Sequence, residues 1–419
     1  MNFYFLFLEI VGFCLVLYAL ITKGELSAIF LLAYLFIGSV INSVLPASIN
    51  YLFLTSLISF YVFKNLPFIL KNTFTIIISL YYVLLLYNVD DFVRVRPYFF
   101  GVIVLFLLIG VLPEIYAKYD RGSIEKILFA VCILVLIVFI SNSLVSTIFN
   151  YNPHVMYGIT SGILYGNLIH ADFHILPLVM FFVLKITIRR RNIFYLTVFF
   201  ISLFFILLTF RRTVMLLTII GSFIAFFQEV SLSDLKKISF ILLVSIFGGL
   251  VIVEKTGFID VFWERYQLRN LDDRDLEGEQ RVLELGLVYN DLFNSFDYSP
   301  WTGFGLFQLS GENYGKGKFG TRPLHTDPMV LVHSSGVIGL LLYLLMVAYA
   351  FLSVLFVIRN QKDLISFFYI LLVFLVFFFT GRFTNTASSL IIYLILYLPL
   401  TIQNTSKKII QNQNLVTNL

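Results

Sequence analysis

The stretch HTDPMVLVHSSGVIGLLLYLLMVAYAFLSVLFVI, residues 325–358, decides the fold. Asp327 and Pro328 read as a helix start. A carboxylate at the cap position is followed by a proline at the first helical position, where a missing N–H costs nothing. From Met329 to Ile358 the only titratable side chains are His333, Tyr343 and Tyr349. A helix from Pro328 to Ile358 is about 31 residues, or ~46 Å at the usual rise, whereas the hydrocarbon of a bilayer takes ~20 residues. Counting one span back from Arg359 reaches about Gly339. His325, Asp327 and His333 are therefore expected at or above one membrane interface, at the positive end of the helix dipole.

The rest of the chain carries the same signature. Its 419 residues are 59% hydrophobic, 18% aromatic and 13% charged, with a mean hydropathy of +0.94. A soluble domain is about 45–50% apolar and ~25% charged, so a bilayer rather than a single core must absorb this much Phe, Leu and Ile. Apolar runs fall at roughly 3–22, 26–45, 48–63, 73–88, 98–116, 124–148, 171–188, 193–210, 213–228, 236–254, 331–358, 364–380 and 386–402. The expectation is an all-α polytopic membrane protein of about 12–14 transmembrane helices with one large outer loop containing short helices. The chain divides into an N-terminal transmembrane bundle (1–254), the loop (255–327), C-terminal transmembrane helices (328–402) and a tail (403–419). The N-terminus reads as a span rather than a cleavable signal. Cys14 and Cys132, both inside apolar runs, read as small hydrophobes.

Basic residues give the orientation. Sixteen of them, from Lys23 to Lys408, fall in the tail or in gaps that share one side, against five (Arg94, Arg96, Arg211, Arg212 and Arg382) on the other side outside the long loop. This places the large loop outside and the C-terminus in the cytoplasm. Arg211 and Arg212 then run against the trend. One helix over Ile193–Gln228 would be ~54 Å long, so two spans with a tight outer turn at the arginines fit better. Two readings stand for that pair: snorkelling at an interface, or an anion site, since the guanidinium fork suits phosphate.

The loop from Lys255 to Leu324 holds 19 of the 53 charged residues, eleven acidic and eight basic. An amphipathic helix is expected over Gly278–Phe296, with Val282, Leu285, Val288, Leu292 and Phe296 as its stripe. Arg281 lies near its start, either paired locally to Glu277 or Glu284 or facing a ligand. Glu264, Arg265 and Arg269 form a similar charged stretch. Pro300-Trp301-Thr302-Gly303-Phe304-Gly305 reads as a tight turn returning the loop to the membrane. Gly311–Gly320 reads as a mobile segment or a lid. His325 titrates near neutrality when unperturbed and so suits proton transfer; Asp327 reads as a cap or as its partner. His170, Asp172 and His174 have the spacing of a metal pair, but no HExxH or Cys set accompanies them, and no metal or cofactor is expected.

A many-spanning chain whose large outer loop ends in this pattern resembles the O-antigen polymerase and O-antigen ligase superfamily. The resemblance rests on His325, Asp327, Gly336, Gly339 and Leu340, on the arginine-bearing turn LLTFRRTVMLLTIIG (207–221), on an arginine early in the loop and on the Trp-Thr-Gly-Phe-Gly turn. It covers roughly Ile193 to Phe356. Ligases of the family often have Asn after the His and Glu two residues before the first Gly, where this chain has Thr326 and Ser334, so the chain looks more like the polymerases of O-antigen or capsular repeat units. The resemblance implies metal-independent glycosyl transfer from an undecaprenyl-pyrophosphate-linked oligosaccharide in a bacterial inner membrane. It implies no cofactor and no nucleic acid, and a chain-length regulator as protein partner. Carried onto this chain, it assigns His325 and Asp327 to catalysis and Arg211, Arg212 and Arg281 to pyrophosphate, with His333, Arg265 and Arg322 as accessory residues. Two alternatives remain: a ligase acting on lipid A-core or another acceptor, and a flippase of lipid-linked sugars. A flippase carries charges along a central cavity, whereas the charges here lie near span ends and in the loop.

Overall fold

The computed structural model describes residues 1–153, 164–168, 170–209, 211–230, 260, 263, 280–320, 323–381 and 383–402. Arg265, Arg322, the apolar run 236–254 and the tail 403–419 lie outside these residues. The described chain folds as α1 (Asn2–Lys23), α2 (Leu31–Val40), α3 (Ala47–Lys64), α4 (Phe68–Lys71), α5 (Thr73–Leu85), α6 (Phe92–Tyr116), α7 (Arg121–Ile148), α8 (Leu176–Arg190), α9 (Ile193–Leu208), α10 (Arg212–Glu229), α11 (Gln280–Tyr289), α12 (Asp327–Leu355), α13 (Gln361–Thr380) and α14 (Thr386–Leu396). Among the described residues β-structure is limited to two isolated bridges.

Eight stretches, taking Asn2–Val40 as one, are long and apolar enough to cross a membrane, and three shorter apolar helices accompany them. Large side chains such as Phe3, Ile21, Phe63, Leu84, Ile193 and Phe227 lie exposed on their helices. In water such a surface would aggregate; against lipid tails it costs nothing. The chain is a polytopic, all-helical membrane protein. Helix starts follow the polar residues that punctuate the apolar runs. Asp91, Asp120, Asn192, Asn360 and Asn385 each accept a backbone N–H from the first turn they precede, which satisfies donors that would otherwise be orphaned. The α8 span is buried over 94% of its apolar window, so it is the central helix, apolar all round as such a helix must be. It packs against α7, α9 and α10. Glu9 on α1 accepts from the N–H groups of Val44 and Leu45 beyond the end of α2. The bend at Gly24–Phe30 therefore folds α2 back antiparallel to α1.

Charged residues collect at one end of the bundle. Arg121 forks onto Asp363, Nη1 to Oδ2 at 2.6 Å and Nη2 to Oδ1 at 2.7 Å, and its Nε reaches Glu125 at 2.8 Å. Arg189 and Lys362 both bind Glu229, and Lys118 binds Glu25. Lys185, buried on α8, donates to Ser366 at 2.8 Å. These contacts tie α7, α8, α10 and α13 together. Bidentate arginine–carboxylate geometry is the strong form of the pair. Asp363→Asn is expected to cost on the order of 2–3 kcal/mol, below the ~3–5 of a fully enclosed pair, because Arg121 keeps 29% of its side chain exposed. A drop in thermal stability in detergent checks this; an unchanged melting temperature would mean that solvent already screens the pair.

Candidate functional site

At the other end of the bundle the loop is inserted into the membrane helix. α12 is not continuous: Gly336 has φ 66° and ψ −171°, which interrupts the helix within its first three turns. Both sides of the break are filled by the turn at Ser299–Phe304. Phe304 N–H donates to His333 O at 2.8 Å, and Val337 N–H donates to Pro300 O at 2.9 Å. From α5, the Tyr81 hydroxyl donates to Ser335 O at 2.8 Å, and the Tyr82 hydroxyl lies 3.3 Å from Ser335 Oγ. A buried backbone group without a partner is costly, so a broken helix is tolerated only where protein supplies partners. Gly303, at φ 77°, lets the turn come this close: a Cβ there would lie 2.5 Å from His333 O. The segment read as a turn is thus a turn that also plugs a helix break.

His333 belongs to this plug. Its side chain is fully buried within the protein. Its Nε2 is 3.1 Å from Gln308 O and its Nδ1 is 3.0 Å from the Tyr298 hydroxyl. A carbonyl only accepts, so Nε2 carries the proton and Nδ1 accepts from Tyr298. Burial, helped by Asp291 and Asp297, pushes the Tyr298 phenol above its ordinary value, which keeps it a neutral donor. Phe304 stacks on the imidazole at an interplanar angle of 11°. With both nitrogens occupied, His333 holds the turn in place.

His325 is placed differently. Its Nδ1 is 3.1 Å from Glu284 Oε1, with 27% of the His325 side chain exposed and Glu284 wholly buried. Glu284 was not singled out from the sequence. The expected stripe over 278–296 is shifted: Val282, Leu285 and Phe296 are exposed, and the buried face is Glu284, Val288, Asp291 and Leu292. Those residues recur at three- and four-residue steps, so a helical wheel centred on Val288 and Leu292 would have found Glu284. The stripe also does not remain α-helical. α11 ends at Tyr289 and passes into a π-helical turn, Asn290–Asn294. Asp291 accepts from Gly315 N–H at 2.6 Å, so the glycine-rich segment is tied to this helix through its backbone while Lys316 and Lys318 stay exposed.

Asp327 is not the cap. The cap position is Thr326, and Asp327 is the first helical residue. Its carboxylate turns sideways and accepts from Phe383 N–H at 2.6 Å. This pins the linker between α13 and α14 to the start of α12. The same linker is held from the other side, where Asn385 donates to Asp172 Oδ1 at 2.7 Å and Ser388 donates to Ala171 O. His174 stacks on Phe377 at 4.2 Å. Asp172 and His174 are therefore built into helix packing, and among the described residues no three His, Cys, Asp or Glu side chains converge as metal ligands. A small pocket walled by Phe374, Phe377, Phe378 and Phe383 opens beside Asp327 and His174. A second lies at the opposite end beside Arg121 and Lys185, away from every residue singled out in the sequence.

The arginine turn lies where the sequence places it: α9 ends at Leu208 and α10 begins at Arg212. The Arg211 guanidinium is 5.5 Å from the Phe173 ring centre, a cation–π contact, and Arg212 is exposed. Arg211 therefore borders the 170–175 segment that Asp327 meets through the 381–385 linker. Arg281 is half-buried on α11, three residues and so about one turn before Glu284. Glu284, one of its two expected local partners, is bonded to His325, and Arg281 makes no ion pair among the described residues. The structure thus brings Glu284 and His325 together, with Arg281 about one turn away on α11, whereas Arg211 and Asp327 are linked only through the 170–175 and 383–385 segments. Comparison with protein-family models, curated proteins and solved structures finds no match to the chain.

Proposed function

We propose that the chain is a polymerase of undecaprenyl-pyrophosphate-linked oligosaccharide repeat units, of O-antigen or capsular type, acting at the outer face of a bacterial plasma membrane. The observation that carries this reading is the half-exposed imidazole of His325, bonded through Nδ1 to a buried carboxylate one turn from Arg281 and two residues before a membrane helix. The acceptor sugar hydroxyl attacks the anomeric carbon of the growing glycan. The new carbon–oxygen bond forms as the bond from that carbon to the pyrophosphate breaks. The hydroxyl proton passes to His325 Nε2, and Arg281, with Arg211 and Arg212, offsets the charge growing on the pyrophosphate. Asp327 orders the floor of the site through Phe383. No metal takes part in this scheme, and a chain-length regulator is its protein partner.

In this reading the span count is thirteen. Eight spanning stretches become nine when Asn2–Val40 is divided at its bend, and the three shorter apolar helices make twelve; the thirteenth is the apolar run 236–254, counted from the sequence alone. The loop end faces outward and the arginine-rich end faces the cytoplasm, as the distribution of basic residues favours. A cysteine replacing the exposed Lys318 is then expected to react with a membrane-impermeant maleimide in intact cells; labelling only after lysis would reverse the orientation. The function itself is tested by the surface glycan of a deletion strain. Acceptors capped with single repeats are expected. Long chains retained on undecaprenyl pyrophosphate would instead identify a ligase, and an unaltered glycan would dismiss both.

A further inference from the structure

We infer that Glu284 is the positioning residue of His325: its carboxylate fixes the imidazole with Nδ1 protonated and leaves the Nε2 lone pair for the acceptor hydroxyl. This rests on the reading of His325 as the proton acceptor. A carboxylate with no exposed surface is unusual, because taking it out of water costs several kcal/mol unless a partner compensates. On α11 Glu284 shares its face with Val288 and Leu292, both buried, where an apolar residue would satisfy packing alone. Among its contacts is His325 Nδ1, 3.1 Å from Oε1. An imidazole keeps only one tautomer at a time, and the hydrogen bond made by one nitrogen decides which nitrogen is left as the base. A carboxylate accepts, so Nδ1 carries the proton. Nε2 bonds to none of the described residues, while the ring keeps 27% exposure. When Nε2 takes the hydroxyl proton, the imidazolium that forms is stabilised by the charge already beside Nδ1. The frame is rigid: Asp291, two turns further along, anchors the segment through Gly315 N–H and through Asp297 N–H at 2.9 Å to its own carbonyl. His333 gives the contrast, since a carbonyl fixes it in the opposite tautomer with no nitrogen left over.

The tautomer can be read directly by nitrogen NMR of the full-length, histidine-labelled protein in detergent, with His325 assigned by its loss in His325→Gln. The expected wild-type signature is a protonated Nδ1 and an unprotonated Nε2. Glu284→Ala is expected to revert His325 to the Nε2-protonated form favoured by free histidine, and Glu284→Asp to keep part of the wild-type signal. An Nε2-protonated wild-type His325 overturns the inference without recourse to any variant. In transfer assays with a lipid-linked repeat unit, Glu284→Ala is expected to lower kcat by about 10²-fold, the scale of a general base, with KM little changed and partial rescue by Glu284→Asp. A rise in KM alone, or equal loss in both variants, would mean a purely structural role. If wild-type protein shows the Nδ1-protonated signature and transfers no glycan, the polymerase reading fails and the His325–Glu284 arrangement stands.

Discussion

Gly336→Ala is expected to be more damaging than Gly339→Ala and far more damaging than Gly286→Ala. The φ/ψ of Gly336 (66°, −171°) lies in territory that only glycine occupies freely, which costs other residues about 1–3 kcal/mol. A methyl group would also overlap the Trp301 carbonyl. That obstacle is backbone, held in turn by Ile338 N–H and Tyr81, and it cannot rotate away. The turn must therefore leave the break, depriving His333 O and Val337 N–H of their partners. With strain and lost backbone bonds together, the expected cost is on the order of 4 kcal/mol or more, in the range of diagnostic single substitutions. Gly339→Ala meets Ser335 Oγ, which can rotate away, and Ser335 Cβ, which cannot, so it too should destabilise, but Gly339 is spared the positive φ of Gly336 and its obstacle is not a carbonyl held by other bonds. Gly286 lies in α11 with open space where its Cβ would be, and alanine there should be neutral or stabilising by up to ~1 kcal/mol. Thermal stability in detergent, with tryptic cleavage at Lys316 and Lys318 as the local probe, checks the order. Equal stability of the Gly336 and Gly286 variants would mean that the turn does not depend on the break.

That break marks the boundary of what the sequence makes legible. The helical, membrane-spanning character is written in local composition, and so are five of the helix starts, where an Asp or Asn stands one residue before the helix it caps. The turn at Arg211 follows from length alone, since one helix could not fit the bilayer. Gly336 and Gly339, by contrast, read as glycines tolerated in a long helix. Only the partner turn, some thirty residues upstream, turns the first of them into an interruption. Asp327 is misread for the same reason: cap chemistry is local, whereas its real partner, Phe383 N–H, lies beyond two spans. Glu284 is missed because charge is ordinarily assigned to the solvent face. The histidine that it bonds is brought to it only by the return of the loop.

His325→Ala is expected to abolish long polymer while leaving single-repeat glycolipid on the acceptor, a fall in transfer of at least ~10²-fold if His325 is the general base. The prediction is sharp because the fold should survive the change. His325 is partly exposed, and its one polar contact to the described residues is Glu284. The paired test is His333→Ala, which removes both imidazole bonds to the plug as well as the ring against Phe304. It should lower protein stability and, through that, activity. A catalytic His325 therefore predicts normal protein level with no polymer for one variant, and reduced level with proportionate polymer for the other. Arg281→Lys separates a forked contact from simple charge. Because lysine cannot grip pyrophosphate bidentately, the variant should lose most activity at unchanged stability. Glycan ladders and protein level, measured side by side for the three variants, decide the matter. Normal long polymer from His325→Ala would remove His325 from the chemistry. The base would then have to be sought around the pocket beside Asp327 and His174, where the imidazole is stacked on Phe377 and the carboxylate already holds Phe383.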